Sequence, residues 1–352
     1  MKTDPISTSI LPADDAGCRR RAGLWLAGLI FLAALMVIWG SLVRLTGAGL
    51  SIPDWPLVNG SLLPPFSHNA WVSALHDYLV AASKLGDPAF PVAVSLPQFQ
   101  TMFWIDYLHR TLSALSAILF LIIAIKILRS PPLRKELKIN LVVTAVLLVA
   151  QILLGGVVTL TSLADLSVAF HLITGYLFIA ALLWMALKLT RSAPTEGESR
   201  SAGLKPMLMI WAIEVLLGLQ VVTGGLMAGN EQLVLISTWP EMFGSIFPSS
   251  AEFATHTVMI QFIHRWLPFL AFALFIVLGW MVKNTPFIPR ARTAFTVAHA
   301  LFGTQIVIGV LNVLTGAPTL ISLLHSAMAL ALFGTFILLL HDLRYGVTVD
   351  DD

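Results

Sequence analysis

Cysteine and charge are both scarce in this chain. A single cysteine, Cys18, excludes an intrachain disulfide framework and any cysteine-based metal site. Charged residues make up 11% of the sequence against 57% hydrophobic residues, and the mean hydropathy is +0.85. That balance excludes a soluble globular protein, and no nucleic-acid partner is expected. Glu-x-x-His motifs are missing from the apolar runs, which excludes a dinuclear carboxylate centre of the helix-bundle type.

What the chain has is apolar length. Eight runs lie near 22–44, 103–128, 139–161, 166–188, 206–228, 256–282, 293–315 and 318–341, each close to the about 20 residues a bilayer crossing needs. The expected fold class is an all-α integral membrane protein of eight transmembrane helices, arranged as two tandem four-helix bundles. The expected division is a tail at 1–21, an N-terminal half at 22–190 with a long external loop at 45–102, a linker at 191–205, a C-terminal half at 206–342 and an acidic tail at 343–352. Of the 21 Lys and Arg residues, 17 fall before span 1, between spans 2 and 3, 4 and 5, or 6 and 7, or after span 8. The positive-inside rule then makes both termini cytoplasmic. The first eighteen residues carry Asp4, Asp14 and Asp15, unlike a transit peptide, and the first run is too long for a signal sequence. A bacterial inner membrane is the expected location, with the lipid bilayer as the surrounding partner.

Span 1 ends in Gly40-Ser41-Leu42-Val43-Arg44-Leu45-Thr46-Gly47-Ala48-Gly49, followed by Asp54-Trp55-Pro56. The glycines and prolines stop a helix at the outer interface, where Trp55 suits the headgroup belt. Beyond it, Trp71, Leu75, Tyr78 or Leu79, and Ala82 recur at helical spacing opposite Asn69, Ser73, Asp77 and Ser83. The pattern predicts a short amphipathic helix on the outer surface; a packed loop with no role is the alternative.

Two phrases echo each other: Asp106-Tyr107-Leu108-His109-Arg110 and Gln261-Phe262-Ile263-His264-Arg265. Each opens an apolar run, and a second buried-looking histidine follows 62 residues after His109, at His171, and 61 after His264, at His325. Gln151, Gly155 and His171 share their internal spacing with Gln305, Gly309 and His325. Thr161 and Thr315 each follow the glycine by six residues, as Thr46 follows Gly40, and span 5 offers a looser Gly218 and Thr223. Trp239-Pro240 repeats Trp55-Pro56. These landmarks predict a parallel internal duplication. Small residues that let helices approach in lipid account for the glycines; a glycine facing a flat ligand is the other reading.

Ionisable residues inside spans are costly and functional by default. All four repeated histidines are expected in one layer near the outer third of the bilayer. Two per half, on two helices, is how a bundle grips a planar haem through both axial positions. Arg110, Arg265 and Arg44 stand where a guanidinium can pair with a haem propionate. A histidine in an apolar run that simply hydrogen-bonds a neighbouring helix is the plainer reading, and the matched repeat outweighs it. Zinc fits less well, since no third or fourth ligand accompanies each pair. His68, His76, His256, His299 and His341 have no repeat partner and read as ordinary polar residues. The halves are unequal: Pro56 to His109 is 53 residues but Pro240 to His264 only 24, and the acid Asp106 faces neutral Gln261.

The Leu45-Thr46-Gly47-Ala48-Gly49-Leu50 run with Asp54-Trp55-Pro56, the acid three residues before His109-Arg110, and the paired histidines resemble the haem A synthase family over all eight spans. The resemblance implies an oxidoreductase that converts the C8 methyl of haem O to a formyl group by successive hydroxylations, giving haem A for cytochrome oxidase. It implies haem b (iron) in the second half on His264 and His325, with haem O as substrate in the first half on His109 and His171. Asp106, His109 and His171 are then catalytic, and Arg44, Arg110 and Arg265 cofactor-binding. Haem O synthase, cytochrome oxidase subunits and an unidentified electron donor are the implied partners. The family commonly has Glu where this chain has Asp106, and some members carry a loop cysteine pair that is missing here. A di-haem electron carrier and a non-catalytic haem-handling assembly protein are the alternatives.

Overall fold

A computed structural model describes residues 13–58, 60–85, 93–190, 201–229 and 236–346. The start of the tail, most of the linker and residues 347–352 of the acidic tail lie outside the described residues. Ten α-helices follow one another: α1 (Ala13–Leu45), α2 (His68–Leu85), α3 (Leu96–Arg129), α4 (Pro131–Leu160), α5 (Asp165–Thr190), α6 (Leu204–Gly229), α7 (Ser250–Phe253), α8 (His256–Met281), α9 (Pro289–Leu314) and α10 (Thr319–Tyr345). All but α2 and α7 are long and apolar enough to cross a membrane. Their outward faces are oily, as with Ile118, Leu121 and Ile125 on α3 and Val142, Val146 and Val149 on α4. In water such faces are a liability; against lipid they cost nothing.

Within the first half α1 packs on α3 and α5, and α4 bridges α3 and α5. Within the second, α6 packs on α8 and α10, and α9 on α10. The halves meet along α5, α6, α10 and α1. The α5–α6 contact is close because it is made of small residues. A Cβ built on Gly225 would lie 2.7 Å from the Ala169 Cα, so only glycine lets the two backbones meet there. At one end of the bundle Arg19 bonds Glu136 at 2.5 Å and the Lys188 carbonyl at 3.1 Å, tying α1 to α4 and α5. Arg290 on α9 pairs with Asp342 on α10.

Two helices start earlier than hydropathy alone suggests. α1 begins at Ala13, inside the polar tail. α3 begins at Leu96 because Ser95 and Gln98 form a capping box, with the Ser95 amide donating to Gln98 Oε1 at 3.0 Å and Pro97 preset for the first turn. With 34 residues α3 is about 51 Å long, well beyond the about 30 Å hydrocarbon core. Its extra turns are covered by α2, the expected amphipathic helix. Trp71 meets Phe103 edge-on at 4.9 Å, and Tyr78 meets Phe99 at 5.6 Å. Ala74, Tyr78, Ala82, Phe99 and Phe103 are buried with Leu50, Ile52 and Leu163, forming a second small core that caps the first half.

Candidate functional site

The four matched histidines sit half-buried on α3, α5, α8 and α10. Each ring has a glycine of a neighbouring helix against its Cε1 edge. A Cβ built on Gly40 would lie 3.2 Å from His109 Cε1; on Gly155, 3.2 Å from His171; on Gly224, 3.2 Å from His264; and on Gly309, 3.1 Å from His325. These glycines therefore make room for imidazoles, and Gly224 and Gly309 also line the second-half cavity. Gly218, the span-5 landmark suggested by sequence, faces Ile173 instead. Gly224 is the true partner, and it follows Gly40 by 184 residues, as Trp239 follows Trp55.

In the second half the rings of His264 and His325 stand 6.3 Å apart, centroid to centroid. Their planes meet at 61°, and a separation of this order leaves room between the rings for a metal ion about 2.0 Å from an imidazole nitrogen of each. The rings line a cavity of about 530 Å³, together with Arg44, Arg265, Tyr176 and Trp239, a size typical of small-molecule sites. Arg44 comes from α1 of the first half and donates to the Ala228 carbonyl.

His264 is held from two sides. Thr223 Oγ1 lies 2.9 Å from its Nδ1, which leaves Nε2 with no hydrogen bond among the described residues. The second constraint begins with Pro268, inside α8 four residues later. Proline has no N–H, so the His264 carbonyl loses its helical partner. Gln220 Nε2 on α6 takes that carbonyl at 2.9 Å. On the other ring, Gln305 Nε2 lies 3.2 Å from His325 Nδ1 and 3.3 Å from Nε2.

The first half repeats the pair, with a glutamine on its second histidine, but lacks the shell on its first. His109 and His171 are electrostatic neighbours, and Gln151 Nε2 lies 3.4 Å from His171 Nε2. Where the second half has Gln220, Thr223 and Pro268, the matched positions are Met36, Trp39 and Ser113. Trp39 donates to the Ile105 carbonyl at 2.9 Å and Ser113 to the His109 carbonyl at 2.9 Å. Neither reaches the ring, and Nδ1 of both His109 and His171 has no hydrogen-bond partner.

Above each pair an arginine one residue past the histidine clamps the outer loop. Arg110 donates to the carbonyls of Ile52, at 2.6 Å, and Asp54, at 2.5 Å; Arg265 donates to those of Thr238, at 2.8 Å, and Ile236. Gln261 accepts the Ile236 amide at 3.2 Å. Asp106, 4% exposed, binds Arg110 at 3.1 and 3.2 Å and has the Ile52 amide beside it. The acid thus holds its loop as Gln261 does, with a charge added. The capping tryptophans diverge: Trp55 lies over Gly156, whose built Cβ would fall 2.7 Å from its ring. Trp239 stacks on Trp266 and Phe269, and Val310 takes the place of Gly156.

Of the five residues the sequence groups as cofactor-binding, His264, His325, Arg44 and Arg265 line one cavity, and Arg110 does not. Arg110 joins Asp106 and the outer loop. Sequence reasoning missed Gln220 and Pro268, although a proline four residues after a histidine was visible, and it passed over Glu214. His299 lies against Phe275 at 4.4 Å, and His341 bonds Asp342 at 3.0 Å. Among the described residues no three His, Cys, Asp or Glu side chains converge on one point.

Fold and site together define an α-helical protein with eight membrane-crossing helices and two interhelical histidine pairs, one of them lining a cavity with two arginines. Residues 23–337 match the COX15-CtaA model, described as cytochrome oxidase assembly protein. The chain belongs to that family. It is 31% identical over 320 residues to the heme A synthase of Neorickettsia sennetsu, covering 88% of this chain and 95% of that one. It is 28% identical over 333 residues to the heme A synthase of Bartonella tribocorum, covering 89% of each. Against the heme A synthase of Paracoccus denitrificans it is 27% identical over 358 residues, covering 96% and 92%.

Proposed function

We propose that this protein is a haem A synthase, oxidising the C8 methyl of haem O to a formyl group by successive hydroxylations. The observation that carries the reading is the unequal shell around two otherwise matched histidine pairs. A ligand histidine whose second nitrogen is hydrogen-bonded is fixed in tautomer and direction and binds its metal more tightly, commonly by 10–100-fold. Thr223 does this for His264, and Gln220 holds its backbone carbonyl where Pro268 leaves it without a helical partner, which suits a resident haem b on His264 and His325. Arg44 and Arg265 offer it cationic partners from two helices. His109 and His171, with free Nδ1 atoms, suit a guest that must leave, the substrate haem O.

Bound haem b supplies one-electron redox chemistry. The chain's own residues supply the rest. Gly40 and Gly155 make room for the substrate-side imidazoles. The α2 cap and Trp55 cover that half from outside. Asp106 and Arg110 hold the covering loop and keep a carboxylate beside the reacting half. The parallel duplication, the two four-helix domains, cytoplasmic termini and a bacterial inner membrane belong to the same reading. So do an unidentified electron donor and contacts with haem O synthase and cytochrome oxidase subunits. The duplication is supported by the Gly–His and Arg–loop contacts that recur in both halves.

The haem composition of the purified protein tests the proposal. A synthase carries haem b with traces of haem O, its alcohol or haem A. Two equivalents of haem b and no modified haem identify an electron carrier instead.

A further inference from the structure

One ionisable group in the membrane has no part in the site described so far. Glu214 lies in α6, is 7% exposed, and neither of its carboxyl oxygens has a hydrogen-bond partner. Position 214 stands on one helical stripe with 217, 221 and 224. Leu217, Val221 and Gly224 line the second-half cavity, and Gly224 meets His264. At 1.5 Å per residue the acid sits about 4.5 Å along the axis from Leu217, about 15 Å from Gly224 and about 15 Å from the Leu204 end. It thus lies just beyond the cavity floor at Leu217, with about 15 Å of helix between it and the Leu204 end.

A buried carboxyl without partners is costly, and far more so when ionised. Three helices pack on α6: α5, α8 and α10. Their titratable side chains are Asp165, His171, Tyr176 and Lys188 on α5, His256, His264 and Arg265 on α8, and His325, His341, Asp342, Arg344 and Tyr345 on α10; none bonds to Glu214. By the 184-residue offset that relates Gly40 to Gly224, the first half has Ile30 at this place. The acid therefore belongs to one half only, the half whose cavity we assign to a resident redox cofactor.

We propose that Glu214 is a proton-binding site coupled to that cavity: its carboxylate binds a proton more tightly when the cofactor gains one electron, and less tightly when the electron leaves. The inference rests on the proposed function. The electron comes from a one-electron donor and passes on to the substrate side; the O–H bond of the carboxylic acid forms as the proton binds and breaks as it leaves. At an effective dielectric of about 20 and a separation on the order of 10–15 Å, one added charge changes the proton affinity of the acid by roughly sixfold to seventeenfold. Ile30 offers no such compensation in the first half.

The test uses the purified full chain with its haem. The midpoint potential is titrated across about pH 5 to 9, and redox-difference infrared spectra are recorded in H2O and D2O. Because the reduced state binds the proton more tightly, the parent potential falls as pH rises. The difference spectrum carries a carboxylic-acid C=O band that shifts in D2O. Glu214→Gln, nearly isosteric and uncharged, loses both the slope and the band, and Glu214→Asp keeps them. A bis-histidine haem whose pH slope and band are the same in Glu214→Gln and parent overturns the assignment while leaving the proposed function standing. Protein that binds no haem on His264 and His325 overturns both.

Discussion

The two halves of this molecule place the same three groups alike: a histidine pair, a glycine against each ring, and an arginine beside the first histidine that clamps a loop. They differ in what surrounds those groups. The second half spends Thr223, Gln220 and a helix-breaking Pro268 on fixing one ring. The first half has Trp39, Met36 and Ser113 there, leaves two ring nitrogens free, and instead builds outward, with a buried acid, α2 and a small core above the site. Rigid holding and covered access are different tasks, and the two halves differ in which of them their surroundings suit.

Changing Asp106 gives the largest expected effect on that contrast. Asp106→Asn resembles Gln261, which holds the same loop without a charge. It is expected to keep haem b and lose most haem A production, measured by haem extraction from cells, while Asp106→Glu stays active. Production at the parent rate in Asp106→Asn means the carboxylate only fastens the loop, and the reacting half loses its acid.

A smaller effect is expected at Thr223. Thr223→Val removes the hydroxyl at 2.9 Å from His264 Nδ1 and should weaken haem b retention by about 10–100-fold, read from the haem-to-protein ratio after dilution. The matched change in the first half, Trp39→Phe, leaves that ratio as it was. Equal loss from both variants erases the distinction.

Gln220→Ala strands the carbonyl that Pro268 leaves without a helical partner, at a cost of about 1–3 kcal/mol. Pro268→Ala restores an N–H at that position, so the double variant should recover most of the loss in thermal unfolding. No recovery means that Gln220 acts elsewhere. Least of all, Gly309→Ala puts a methyl 3.1 Å from His325 Cε1, close enough to shift the ring by a few tenths of an ångström. A modest change in the haem b optical spectrum is expected, with haem content kept.

Much of this was legible in the sequence, because a membrane enforces a simple grammar. Eight apolar runs gave eight long helices, and four repeated histidines came out on four of them. The rest was hidden where local chemistry overrides hydropathy. α3 starts at Leu96 through a capping box that no hydropathy window detects. Gly218 looked like the span-5 landmark because a threonine follows it, whereas the ring-facing residue is Gly224. Glu214 is a single acidic residue in an oily run with no repeat to mark it, and the Gln220–Pro268 pairing needs two helices side by side.

The central claim is that the resident haem belongs to the second half, and matched histidine deletions test it most directly. Haem content and optical spectrum are measured on purified His325→Ala and His171→Ala. The account predicts that His325→Ala loses the low-spin bis-histidine haem b signal, while His171→Ala keeps it and makes no haem A. An unchanged bis-histidine spectrum in His325→Ala, or its loss in His171→Ala alone, contradicts the account.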